Sequence, residues 1–262
     1  MLPFIIHYKD IVIPTFFFMV MVGSLSATFY IYWQAGRKGM SQIAILDIGM
    51  LGTLAGIMGA RLFHVFVEAP AYYWEDPIRV FYFWQGGFVG YGAFFGILIG
   101  ATIYLKLRKL PFLQYADLIA LGCPLIIFAV RWGCLGAGCC YGTPTDFFIH
   151  LTFTNPSSDA GHDFPGVHLH ATQFYDMLNA CIDFAIIHWV DKRKKFHGQI
   201  LLLFFMLYAA GRFMIEFLRG DADRGVYLDN SISTSQITGL IILAVGSLIY
   251  WKLSKNKIAP TT

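Results

Sequence analysis

Seven stretches of the chain carry an apolar run of membrane-crossing or near-crossing length: residues 11–33, 43–67, 87–105, 117–133, 172–190, 199–218 and 237–253. A helix needs about 20 apolar residues to cover the hydrocarbon core. Polar residues interrupt 117–133 and 172–190, and short polar clusters bound every run. The pattern predicts an all-α integral membrane protein of about seven transmembrane helices. The first run contains Ser24, Leu25, Ser26 and Ala27, which resemble a signal-peptide cleavage site. Its apolar length exceeds the usual ~7–15 residues, and its flank (His7, Lys9, Asp10) is not clearly basic. It reads as a retained helix.

Composition agrees. Of 262 residues, 57% are hydrophobic and 13% charged, against roughly 25% charged in a soluble domain. The net charge of +3 gives no case for nucleic acid. Basic residues instead report topology. Arg37, Lys38, Lys106, Arg108, Lys109, Lys192, Arg193, Lys194, Lys195, Lys252, Lys255 and Lys257 fall on one side of seven spans. Lys9, Arg79, Arg219 and Arg224 fall on the other, which predicts an external N-terminus and a cytoplasmic C-terminus.

Residues 1–262 read as a single membrane domain without internal repeats. The longest segment between runs, 141–171, is predicted to lie outside. It holds Pro144, Pro156, Pro165 and four histidines (150, 162, 168, 170), but no Lys or Arg. A short strand within 147–153 would make it a small external cap. A second external loop, 219–236, carries Asp221, Asp223, Arg224 and Asp229. Cys134 with Cys139 or Cys140 suggests a disulfide or close helix packing; their spacing matches no usual zinc pattern.

The candidate chemistry lies in ionisable residues inside the apolar runs. Tyr208, Arg212 and Glu216 are four residues apart and Arg219 three further on, so one helix face carries all four over about 16 Å. A charge at mid-membrane costs roughly 2.5–3.5 kcal/mol. Arg212 and Glu216 can neutralise each other, but Arg61 and Arg131 also lie within helices, with Asp176 the nearest further acid. That balance predicts spare positive charge, suited to a phosphate-bearing lipid through bidentate guanidinium contacts. Glycines crowd the start of the third helix (Gly86, Gly87, Gly90, Gly92, Gly96) and the end of the fourth (Gly133, Gly136, Gly138, Gly142). Gly92 and Gly96 fit a small-residue packing face, while the second cluster predicts irregular backbone around a cavity.

Five segments in register carry a resemblance: Gly59 to Phe66 with Arg61, Arg79 to Gly87 with Gly92 and Gly96, Val130 to Gly142 with Arg131, His170 to Asp176, and Tyr208 to Arg219. Together they resemble the prolipoprotein diacylglyceryl transferase family. The resemblance implies transfer of the diacylglyceryl group of phosphatidylglycerol to the lipobox cysteine of a prolipoprotein signal peptide, forming a thioether and releasing glycerol phosphate. It implies a seven-helix bundle around a central lipid cavity, in a bacterial cytoplasmic (inner) membrane, with no cofactor and no metal. Arg131 matches the family's signature arginine, Gly142 its closing glycine, and Tyr208, Arg212 and Glu216 its polar sixth helix. Asp176 stands where Glu is usual, Tyr91 where the family has a histidine, Cys134 where it has Asn and Cys139 where it has an acid.

Arg131 and Arg212 are thus expected to hold the phosphate, with Arg61 a third. Glu216, Tyr208, Tyr91 and His170, in that order, are candidate proton acceptors. Gly142, Asp176, His170 and Arg219 complete the substrate-binding set. Other readings are a paralogue acting on another phospholipid or acceptor, a transporter, and a membrane thiol oxidoreductase using Cys139 and Cys140. A transporter would show inverted repeats, and an oxidoreductase a Cys-x-x-Cys pair.

Overall fold

The structure, a computed structural model, describes residues 4–8, 11–82, 87, 89–221, 226–227 and 232–255. It opens on an antiparallel hairpin, β1 (Phe4–Tyr8) and β2 (Ile11–Pro14), followed by α1 (Thr15–Arg37) and α2 (Gln42–Phe63). A π-turn, His64–Glu68, extends α2 before the short α3 (Pro70–Glu75). Then come α4 (Gly90–Leu107), α5 (Phe112–Ala120), α6 (Cys123–Ala137), β3 (His150–Thr152), α7 (Asp159–Asp163) and β4 (His168–His170). The chain continues through α8 (Thr172–Asp191), α9 (Gln199–Glu216), β5 (Val226–Tyr227), β6 (Ile232–Ser233) and α10 (Thr234–Ser254).

Every predicted apolar run contains helix, with shifted ends. The run 11–33 begins as strand, because Ile11, Val12 and Ile13 are β-branched and Pro14 holds the preceding residue extended. The run 117–133 breaks between α5 and α6 around Leu121 and Gly122, where Pro124 cannot donate a backbone N–H. A capping box starts α10 ahead of its predicted first residue: Ser233 and Gln236 satisfy each other's backbone N–H groups. Among the described residues, five stretches are long and apolar enough to cross a membrane: Thr15–Arg37, Gln42–Glu68, Phe112–Ala137, Gln199–Glu216 and Thr234–Ser254. Between them, α4 has 18 residues, and α8, with 20, carries Asp176, Asp183 and Asp191.

Large apolar side chains face outward along these helices, including Phe29 (74% exposed), Ile43 (68%), Met214 (67%) and Leu248 (61%). Arg61, Asp117, Gln173, Asp176, Asp183 and Glu216 are buried. An outer face this apolar, with ionisable residues held inside, suits a lipid solvent. This is an all-α, multi-pass membrane protein. Basic groups stack on aromatic rings at several helix ends: Arg37 on Trp33, Arg193 on Trp189, and Lys255 on Trp251. Such pairs are at home in the interfacial layer.

The chain forms two compact units. One, Ile31–Tyr115, is built on the packing of α2 against α4. There the small-residue face does what Gly92 and Gly96 predict. A Cβ on Gly96 would lie 2.1 Å from the Ala55 carbonyl oxygen, so only glycine admits this approach. Tyr104 in α4 also donates to Asp47 in α2 at 2.6 Å.

The other unit comprises Met1–Tyr30 and Ala116–Thr262, with α8 packed on α6 and α9, and α9 on α10. Asp117, in α5, fixes the start of α9. Its carboxylate accepts from the N–H groups of Gly198 (2.8 Å), Ile200 (2.9 Å) and Leu201 (3.0 Å). Those are orphan donors at a helix N-terminus, where negative charge is favoured. The segment 141–171 folds around Tyr141, Phe153, Ala160 and Leu169, with β3 paired antiparallel to β4. The strand expected in 147–153 is present as His150–Thr152.

Candidate functional site

Three helices of the larger unit bring ionisable residues together. Arg131 lies on α6, Asp176 near the start of α8, and Arg212 and Glu216 one turn apart on α9. Asp176, 4% exposed, lies between the two arginines. Its Oδ2 is 2.9 Å from Arg131 Nε and 4.0 Å from Arg212 Nη1. Arg212 Nη2 reaches Glu216 Oε2 at 2.6 Å, the intrahelical pair that the spacing predicts. Arg131 Nη1 lies 3.8 Å from Cys134 Sγ. Both Arg131 Nε and Arg212 Nη1 are buried and lack an aligned hydrogen bond, although each is within ion-pair range of Asp176.

Arg219 follows α9 and holds Asp221 through two parallel contacts, Nε to Oδ1 at 2.7 Å and Nη2 to Oδ2. Burial opposes its charge, but the hydrogen bond to Asp221 and the neighbouring carboxylates more than offset this and raise its pKa above the ordinary value. Among the described residues of this unit, Arg131, Arg212 and Arg219 thus face Asp176, Glu216 and Asp221. The expected surplus of positive charge is absent here. That surplus counts Arg61, which belongs to the other unit, and Asp221 balances Arg219 from just beyond the helix.

The backbone after α6 runs beside this cluster as irregular chain, as its glycines predict. Gln173 Nε2 donates to the Cys139 carbonyl at 2.9 Å, and Thr172 Oγ1 to that of Cys140 at 2.7 Å. Gly142 bridges to Arg219, and Thr143 N–H donates to the Leu218 carbonyl at 2.9 Å. A Cβ on Gly142 would meet the His170 carbonyl oxygen and Cβ at 2.5 Å, so this segment lies tight between β4 and the residues that follow α9, Arg219 and Gly220. His170 Nδ1 is 3.4 Å from Tyr175 Oη, which itself donates to the Ile149 carbonyl at 3.2 Å. His170, Tyr175, Phe147, Met214, Ile215 and Leu218 line an apolar cavity of about 350 Å³.

Tyr208 is half-buried, two turns before Glu216, and stacks on Phe204. Arg61 and Tyr91 belong to the other unit. Arg61 is buried and donates to backbone carbonyls: Nε to Val80 (3.0 Å), Nη1 to Gly87 (3.2 Å), and Nη2 to Arg79 (2.5 Å) and Tyr82 (3.2 Å). This guanidinium ties Arg79, Val80, Tyr82 and Gly87 together, a structural duty that its sequence position did not reveal. The side chain of Tyr91 lies outside the described residues, as do Asp223, Arg224 and Asp229. Sequence reasoning gave no role to Asp221, Gln173 or Thr172; the last two lie inside the His170–Asp176 motif, and Asp221 stands two residues after Arg219.

All five cysteines are free thiols. The sulfurs of Cys134, Cys139 and Cys140 lie within 4.8 Å of one another. Hydrogen bonds with Cys134 and Cys139 hold the Cys140 thiol below its ordinary range, and the same contacts with Cys134 and Cys140 push Cys139 above it.

Fold and site together define a polytopic helical membrane protein with a buried cluster of guanidinium–carboxylate pairs. Its family follows from sequence: the chain belongs to the prolipoprotein diacylglyceryl transferase family, whose model matches residues 3–252. It is 31% identical over 236 residues to phosphatidylglycerol–prolipoprotein diacylglyceryl transferase 2 of Clostridium perfringens, covering 89% of this chain and 88% of that protein. To the phosphatidylglycerol–prolipoprotein diacylglyceryl transferase of Dehalococcoides mccartyi it is 30% identical over 251 residues, covering 95% and 92%. The corresponding enzyme of Clostridium tetani is 29% identical over 232 residues, covering 88% and 90%.

Proposed function

We propose that this chain transfers the diacylglyceryl group of phosphatidylglycerol to the lipobox cysteine of a prolipoprotein signal peptide. The observation that carries the reading is the convergence of Arg131 and Arg212 on Asp176, with one buried donor on each guanidinium lacking an aligned acceptor. A lipid phosphate supplies acceptor oxygens at the spacing such forks select. The names of the relatives supply the substrates.

In the reaction the thiolate of the acceptor cysteine attacks the glycerol carbon, and a C–S bond forms. The C–O bond to phosphate breaks, and glycerol phosphate leaves with the electron pair. Arg131 and Arg212 stabilise the charge gathering on the departing phosphate. Their field also favours the thiolate. Glu216 takes the thiol proton, with Tyr208, Tyr91 and His170 as lesser acceptors. Gly142 and Arg219 shape the chain beside the headgroup, and Asp176 orients both arginines. The apolar cavity next to His170 receives acyl chain or signal-peptide side chains.

The same proposal places seven spans around a central cavity in a bacterial cytoplasmic membrane, N-terminus outside. The 141–171 segment then covers the bundle on the external side. Twelve basic residues against four support that orientation. The test mixes purified protein with phosphatidylglycerol and a lipobox peptide and follows peptide mass. The expected result is a diacylglyceryl adduct whose formation falls about 10²–10³-fold in Arg131→Lys, which keeps the charge and loses the fork. No adduct with the parent protein overturns the assignment.

A further inference from the structure

The thiol cluster has no part in that reaction, yet it has the features of a built site. Three sulfurs from Cys134, Cys139 and Cys140 converge within 4.8 Å. Cys134 is on the last turns of α6 and is buried, while Cys139 and Cys140 lie on the loop that follows. The loop is held in place from α8, since Gln173 and Thr172 bind the carbonyls of Cys139 and Cys140 at 2.9 and 2.7 Å. Cys140 itself has φ +57°, a left-handed backbone that a side chain rarely adopts. Such a conformation persists only where surrounding contacts over-determine it, and the Cys139 N–H donates back to the Cys134 carbonyl at 3.1 Å.

Access and charge sign point the same way. Cys139 and Cys140 line a cavity of about 680 Å³ whose other charged or ionisable residues include Asp159, Asp163, Asp221 and His162. Asp221 is paired with Arg219, so Asp159 and Asp163 give the mouth its acidic sign, which attracts cations and disfavours a phosphate. Thiolate is a soft ligand that selects Cu(I) or zinc. Zinc takes four protein ligands in structural sites, or three with a water in catalytic sites whose sets include histidine. Among the described residues this cluster offers three sulfurs and no histidine.

We propose that Cys134, Cys139 and Cys140 form a three-coordinate thiolate site for a monovalent soft metal ion, Cu(I). Each ligating thiol gives its proton to solvent on binding, and copper stays in the +1 state, so no electron is transferred. Because Arg131 Nη1 contacts Cys134 Sγ, the metal adjoins the phosphate-binding pair without using its residues.

The test uses the full chain in detergent, reduced and under anaerobic conditions, titrated with Cu(I) held in that state by a reductant. Bound copper is measured by elemental mass spectrometry, and each cysteine's reactivity by alkylation and peptide mapping. One copper per chain is expected, with Cys134, Cys139 and Cys140 protected and exposed Cys181 alkylated as before. Cys139→Ser and Cys140→Ser should each weaken binding at least about tenfold. These positions are chosen because Cys134 is buried, and a thermal melt of each variant checks that it is folded. Unchanged copper binding in folded Cys139→Ser and Cys140→Ser would overturn the proposal. So would a disulfide joining any two of the three cysteines in protein alkylated directly in its native membrane.

Discussion

Replacing Asp176 with Asn tests whether one carboxylate holds the two central arginines in place. The change is nearly isosteric, so packing is preserved and only charge is lost. Distances of 2.9 Å to Arg131 and 4.0 Å to Arg212 correspond to gross attractions of roughly 6 and 4 kcal/mol at an effective dielectric of about 20. Desolvation cancels much of this, and removing one partner of a buried ion pair costs about 3–5 kcal/mol net. For a chain of this size each kcal/mol lowers the unfolding midpoint by about 2–4 °C. Asp176→Asn should therefore melt about 6–20 °C below the parent in detergent. Added phosphatidylglycerol should recover more of the midpoint in the variant than in the parent, because its phosphate takes the carboxylate's place between the guanidiniums. Diacylglycerol, with the same tails and no phosphate, is the control. A drop under about 2 °C, or equal rescue by diacylglycerol, would refute the reasoning.

Two further substitutions probe separate parts of the fold. In Asp117→Asn the amide oxygen can still accept from Ile200 and Leu201, but its NH2 then meets the N–H of Gly198, and the charge at the start of α9 is gone. A loss of about 2 kcal/mol in thermal unfolding is expected, with adduct formation per folded molecule unchanged. Gly142→Ala places a methyl 2.5 Å from the His170 carbonyl oxygen. The strand must shift, which should cost about 1–3 kcal/mol and slow adduct formation at least about tenfold. Parent-like melting and rate would mean that this tight approach is dispensable.

The sequence made local relations legible and left distant ones hidden. The seven apolar runs are visible because bilayer length and backbone satisfaction constrain them strongly. Their ends are less so: residues 11–14 are as apolar as the helix that follows, and only their β-branching and Pro14 mark the change to strand. The Arg212–Glu216 pair could be read from four-residue spacing, since helix geometry alone brings the two side chains together. Asp176 sharing two arginines on two other helices could not, nor could Asp117 capping a helix some 80 residues further along the chain. Both depend on tertiary packing. The predicted charge surplus rested on Arg61, which lies in the other unit and donates to backbone carbonyls, while Asp221 balances Arg219 from beyond α9.

The balanced charges recast how the site would operate. With Arg131, Arg212 and Arg219 facing Asp176, Glu216 and Asp221, the cluster is close to neutral before substrate arrives. A strongly cationic pocket would bind the phosphodiester tightly in the ground state, and uniform binding of that kind does not accelerate chemistry. In the proposed reaction the phosphate gains one negative charge as the C–O bond breaks, and the acceptor thiol gives up one proton. If Glu216 receives that proton, Arg212 loses its carboxylate partner 2.6 Å away at the same stage that the leaving group acquires its extra charge. The guanidinium can then turn its full charge to the phosphate. The positive potential would thus appear when the transition state needs it, and Glu216 would link proton acceptance to leaving-group stabilisation in one movement of charge.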